Sequence, residues 1–122
     1  MLLEQLDALP QAPLDLPEPK DCRAVRLAQW LKEHPEDRTP LTVLAPKFGG
    51  SVKTLERLFT AETGMSFGGW RIRLRMMMAL EQLAHGESVA NVAHAVGYES
   101  PSSFIAAFRS AFGTTPSRYF DV

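Results

Sequence analysis

The sequence is poor in several of the features that would narrow its chemistry. Among its 122 residues there is one cysteine, Cys22, which can form no internal disulfide and cannot hold a metal ion alone. Such sparing use of thiols fits a reducing compartment, so a cytoplasmic location is expected. Its three histidines, His34, His85 and His94, are scattered and lack i,i+4 or cysteine partners, so no metal site is expected. No run of about 18 apolar residues is present, which excludes a membrane-spanning helix. The first 23 residues lack the basic start and apolar stretch of a secretory signal, and none is expected. There is no phosphate loop, nucleophile motif or paired-carboxylate pattern. The chain is therefore not expected to be an enzyme or to need a cofactor. Whole-chain disorder is excluded as well, because 45% hydrophobic and 22% charged residues are ordinary values for a globular protein.

The net charge of −1 also lacks the basic excess usual in a nucleic-acid binder. The average hides an asymmetry. Residues 1–40 carry five Lys/Arg against eight Asp/Glu, whereas residues 41–122 carry eight against six. Within 47–75 the count is six basic residues (Lys47, Lys53, Arg57, Arg71, Arg73, Arg75) against two acidic ones, Glu56 and Glu62. Partner choice follows the local field, and the middle of the chain is positive.

Pro10, Pro13, Pro17 and Pro19 forbid a long helix over residues 1–20, which read as a Pro-rich linker or arm. Asp21 can cap a helix over 21–34, with an apolar stripe of Val25, Leu27, Ala28 and Leu31. His34-Pro35 ends it. A short helix from Leu41 to Phe48 follows, and Pro46 is expected to delay or distort it. Gly49-Gly50 breaks it, Ser51 caps a helix over 52–63, and Gly64 closes that one. Ser66 caps a long helix over about 67–85, with Phe67, Trp70, Leu74, Met77, Leu80 and Ala84 at the 3–4 spacing. Ser88 then caps a short helix over 89–95, Gly97 breaks it, and Ser100-Pro101 opens a helix to Phe112. Gly113 stops that helix before a last turn at Pro116.

The pattern is thus repeated. Ala45, Gly49, Ser51, Leu55, Phe59 and Gly64 are echoed by Ala93, Gly97, Ser100, Phe104, Phe108 and Gly113, at a spacing of roughly 48 residues. Helix, glycine turn and Ser-capped helix form a helix-turn-helix, whose second helix lies in the DNA major groove. The expected fold is all-α, with about seven helices. A first helix-turn-helix subdomain spans 21–66, a linker helix 67–86 and a second subdomain 87–122. Nineteen residues of linker helix span about 28 Å. Successive major grooves lie about 34 Å apart, so two reading helices on one connector match the DNA repeat.

The run from Arg23 to Phe120 resembles the C-terminal DNA-binding domain of AraC/XylS-type transcription regulators. The similarity rests on Ala45-x-x-x-Gly49-x-Ser51-x-x-x-Leu55-x-Arg57-x-Phe59, on Glu62-Thr-Gly64-Met-Ser-Phe67 and on Trp70-x-x-x-x-Arg75. It closes on Val92-Ala93-x-x-x-Gly97-Tyr98-x-Ser100-x-Ser102-x-Phe104-x-x-x-Phe108-Arg109-x-x-Phe112-Gly113-x-x-Pro116-x-x-Tyr119. The resemblance implies sequence-specific binding of double-stranded DNA in transcription regulation. It also implies RNA polymerase as a partner and a separate N-terminal effector or dimerisation domain, with the chain as the DNA-binding part of a longer regulator. Where some members of the family carry a basic residue in the second reading helix, this chain has Ala106, so few direct base contacts are expected there.

Within this frame Ser51, Lys53, Thr54 and Arg57 are the candidate DNA contacts of the first unit. Arg57 suits bidentate pairing with guanine, and Lys53 a base or phosphate. An ordinary solvated helix face is the competing reading. Ser100, Ser102, Ser103, Ala106 and Arg109 are the candidates of the second unit, the serines suiting phosphate contact or simple capping and Arg109 a phosphate contact or a structural ion pair. Arg71 on the linker helix is a further candidate for backbone phosphate, and Arg75 is assigned a structural role. An alternative function for the whole chain is a helical protein–protein adaptor. DNA binding would differ from it by falling steeply with salt.

Overall fold

The structure, a computed structural model, describes residues 15–120. Most of the expected Pro-rich arm, residues 1–14, lies outside the described residues, as do residues 121–122. Among the described residues the fold is all-α. The elements are α1 (Cys22–Glu33), α2 (Leu41–Lys47), α3 (Val52–Thr63), α4 (Phe67–Ala84), α5 (Val89–Ala95), α6 (Pro101–Phe112) and α7 (Pro116–Tyr119). They group into two compact units, Leu16–Leu74 and a second that begins at Arg75, within α4. Each unit contains one helix-turn-helix, α2–α3 and α5–α6.

In the first unit, α1 starts where Asp21 accepts the amide hydrogen of Arg23 at 2.9 Å. Two amide hydrogens just before the helix, those of Lys20 and Asp21, are donated to Glu62 Oε1 of α3 at 2.8 and 3.0 Å. The buried stripe of α1 is Ala24, Leu27, Ala28 and Leu31, a complete i,i+3,i+4,i+7 set. Val25, expected inside, is 41% exposed. The small Ala24 takes the inner position, and the branched Val25 falls off the stripe. Starting at Leu41, α2 is not delayed by Pro46, which sits in its last turn, where the missing amide forfeits only a terminal bond.

The chain then reverses at Gly49, whose φ of +84° is a left-handed conformation that side-chain-bearing residues rarely adopt. Ser51 caps α3, which buries Leu55, Leu58 and Phe59. Phe59 meets Phe67 and Trp70 of α4 edge-on at 5.1 and 5.3 Å. The indole N–H of the fully buried Trp70 donates to the Pro17 carbonyl at 2.7 Å, so its burial leaves no polar group unsatisfied.

The second unit is built in the same way. Its core is Met76, Ala79 and Leu80 of α4, Val92, Ala93 and Val96 around α5, and Phe104 and Phe108 of α6. Met76 is the fully buried methionine of its run, whereas Met77, expected in the stripe, is half-buried. A single 3–4 pattern carried along all of α4 misses this, because the second half of the helix packs into the core of its own unit. Ser88 caps α5, and the turn into α6 again uses a left-handed glycine, Gly97 at φ +92°. Phe108 contacts Phe104, Phe112 and Tyr119, with Tyr119 perpendicular at 5.6 Å.

Two outcomes follow from this packing. Phe108→Ala removes the ring shared by α6 and α7 and is expected to cost the second unit about 3–5 kcal/mol, read as a lowered thermal midpoint by circular dichroism. The second outcome concerns acid. The Arg23 side chain beside Asp21 holds its carboxyl down at about 2, and the amides of Asp21 and Lys20 hold the Glu62 carboxyl below its ordinary value. A lowered folded-state value stabilises above the unfolded value and is lost as pH falls. Stability is therefore expected to decline from about pH 4 toward pH 2, and denaturant midpoints should show a weaker decline for Glu62→Gln.

Candidate nucleic-acid interface

Burial of one face of α3 fixes what the other presents. With Leu55, Leu58, Phe59 and Thr63 inside, Lys53 and Arg57 stand four residues apart on the exposed side. Neither forms an ion pair among the described residues. Ser51 and Thr54 are engaged with each other. Ser51 Oγ accepts the Thr54 amide hydrogen at 3.1 Å, and its hydroxyl donates to Thr54 Oγ1 at 3.0 Å. Glu56, the acidic residue between the two cations, accepts the Phe67 amide hydrogen at 3.4 Å and so helps to start α4. The exposed edge of α3 is accordingly cationic, with Ser51 and Thr54 at its N-terminal end.

On α6, Ser100 and Ser103 form a reciprocal capping box. Each hydroxyl oxygen accepts the other residue's amide hydrogen, at 3.2 Å for Ser100 Oγ and 3.3 Å for Ser103 Oγ. Ser102 lies between them, exposed, and Ala106 is exposed one turn further on. Arg109 is exposed in the last turn, beside a hollow that Arg118 of α7 also borders. Arg118 is a basic residue that sequence reasoning did not single out. Only the turn at Gly113 folds it back toward Arg109, and no helical periodicity signals that.

The structure places Arg71 apart from these groups. Its guanidinium donates to the Thr39 carbonyl at 2.7 Å and to the Asp37 carbonyl at 2.6 Å, and it lies 4.0 Å from the Asp37 carboxylate. Only 11% of the side chain is exposed. Arg71 thus fastens the α1–α2 loop to α4. Arg75 sits over the Tyr98 ring at 5.6 Å, in keeping with the structural role assigned to it. Burial pushes the Tyr98 hydroxyl up, and Arg75 opposes that shift. Among the described residues no group of His, Cys, Asp and Glu is placed to hold a metal ion, and no helix is long and apolar enough to cross a membrane.

Comparison with known proteins agrees with this geometry. Residues 44–121 match a family model described as a helix-turn-helix domain. The transcriptional regulator NimR of Escherichia coli (strain K12) is 36% identical over 119 residues, 98% of this chain and 44% of that protein. The transcriptional regulator RipA of Corynebacterium glutamicum is 42% identical over 113 residues, 93% of this chain and 33% of that protein. The chain thus spans less than half the length of these curated relatives. Among solved structures, the DNA-binding domain of AdpA, a global transcriptional factor in complex with a target DNA, superposes with a TM-score of 0.74 at 30% identity. That match covers 82% of this chain and 90% of that one. The C-terminal domain of AraT, a response regulator from Geobacillus stearothermophilus, also gives 0.74, at 28% identity, covering 80% and 82%.

The geometry of Arg71 separates a loop fastener from a phosphate contact. Arg71→Ala is expected to destabilise the first unit by about 1.5–3 kcal/mol, the range for hydrogen bonds to a charged group. The salt dependence of duplex binding should stay unchanged. A slope reduced by about one with stability intact would instead make Arg71 a phosphate ligand.

Proposed function

Because the chain belongs to the AraC/XylS-type family of helix-turn-helix regulators, sequence-specific DNA-binding proteins of transcription regulation, we propose that α3 and α6 are its two reading helices, seated in successive major grooves of one duplex. The observation that carries this is the pair Lys53 and Arg57. They project from the exposed face of α3, directly opposite its buried stripe, with no carboxylate claiming either charge among the described residues. Arg57 has the planar fork that pairs with guanine, and Lys53 reaches base or phosphate. Ser51 and Thr54 lie at the same end of the helix, where Ser51 donates to Thr54 and the Thr54 hydroxyl takes a phosphate oxygen.

On α6 the reading is less polar. Ser102 positions the backbone, Ser100 and Ser103 set the helix start, and the Ala106 methyl suits contact with a thymine methyl. Arg109 contributes charge toward phosphate. The fraction of the relatives' length covered supports a wider reading. In it the chain is the DNA-binding part of a longer effector-responsive regulator, whose other partners are an N-terminal effector or dimerisation domain and RNA polymerase.

Affinities on matched and mismatched duplexes at two salt concentrations test the assignment. Arg57→Ala is expected to weaken binding and to lose about 1–3 kcal/mol of discrimination at one or two base pairs. Lys53→Ala weakens binding as well, and its salt slope falls by about one if it contacts phosphate. Ser102→Ala costs less and acts evenly across sequences. Should Ser102→Ala cost more specificity than Arg57→Ala, α6 is the dominant reader and the division of labour drawn here is wrong.

A further inference from the structure

Beyond the outer faces of the two reading helices, the second unit carries a hollow of about 260 Å³, lined by Arg109, Gly113, Thr114, Thr115 and Arg118. Arg109 comes from the last turn of α6 and Arg118 from α7, and the left-handed turn at Gly113 brings them to one rim. Both side chains are exposed, and neither forms an ion pair among the described residues. Among the described residues no carboxylate is part of the lining. Thr115 Oγ1 accepts the Arg118 amide hydrogen at 3.4 Å, which leaves its own hydroxyl hydrogen available for donation.

Two cations bordering one small space repel each other, and an anion between them reverses the sign of that interaction. Guanidinium and hydroxyl groups supply donors without a fixed acceptor, and arginine forks match phosphate oxygens two at a time. The hollow, several times the roughly 30 Å³ share of one water, admits a tetrahedral anion, and the charge of its rim selects for one.

We propose that this hollow is a binding site for a single phosphoryl group, held between Arg109 and Arg118. The same chemistry has two sources, a backbone phosphate of bound DNA and a free phosphate. The first rests on the DNA-binding function proposed above, and the second does not.

The test uses the whole chain, with Arg118→Gln and, to restore charge, Arg118→Lys. Inorganic phosphate is titrated at constant ionic strength while the amide resonances of Gly113, Thr114 and Thr115 are followed by NMR. The wild type is expected to show saturable shifts that chloride does not produce, Arg118→Gln to lose them and Arg118→Lys to recover part. In parallel, duplex affinity is measured against salt. If DNA supplies the phosphate, Arg118→Gln lowers the slope by about 0.9 and weakens matched and mismatched duplexes alike. Saturable phosphate shifts with an unchanged slope assign the hollow to a free phosphate. Phosphate shifts in a wild type that fails to bind duplex would overturn the DNA-binding function and leave the hollow standing. No saturable shift together with an unchanged slope overturns the proposal.

Discussion

Phe59 and Phe108 are completely shielded from water, and each lies on the inner face of the second helix of its helix-turn-helix. Burying a ring of this size stabilises by several kcal/mol, far more than any single exposed contact of the same helix. The rotation of α3 and α6 about their own axes is therefore set by their aromatic faces. Given a 3.6-residue period, that rotation leaves no freedom in what faces outward. Lys53 and Arg57 are presented because Leu55 and Phe59 are hidden, and Ser102 and Ala106 because Phe104 and Phe108 are. The glycines at 49 and 97, both left-handed, reverse the chain between the two helices of each helix-turn-helix.

The two units share this frame and differ in their outward chemistry. Charge dominates the exposed edge of α3, while hydroxyl and methyl groups dominate that of α6 until its last turn. Arginine and lysine supply affinity and base discrimination, whereas hydroxyls near a helix start mainly fix register on the backbone. Under the proposed reading, a duplicated scaffold supports unequal work, with geometry common to both halves and chemistry particular to each.

Most of the fold was legible because helix ends are written in local chemistry. Ser51, Ser88, Ser100, Gly64 and Gly113 announce their caps directly, and the structure finds each of them capping a helix. Periodicity was a weaker guide where tertiary packing chose between adjacent apolar residues. Ala24 displaced Val25 because it completes the four-residue stripe, and Met76 displaced Met77 because α4 contributes to two cores. The cations show the same divide. Exposure of Lys53 and Arg57 follows from the stripe beside them. The engagement of Arg71 with the carbonyls of Asp37 and Thr39 spans more than thirty residues, and no local pattern encodes it. The approach of Arg118 to Arg109 likewise depends on the fold of a turn.

The segment leading into α1 is moored at three points within five residues. Trp70 holds the carbonyl of Pro17, Lys32 holds the carboxylate of Glu18, and Glu62 holds the amides of Lys20 and Asp21. One of these moorings, Glu62, belongs to α3 itself. Load along residues 17–21 is consequently shared by three helices: α1 through the backbone and Lys32, α4 through Trp70, and α3, the helix that carries Lys53 and Arg57, through Glu62. The approach to this unit is a stay rather than a leash, with one anchor on the side of α3 opposite Lys53 and Arg57.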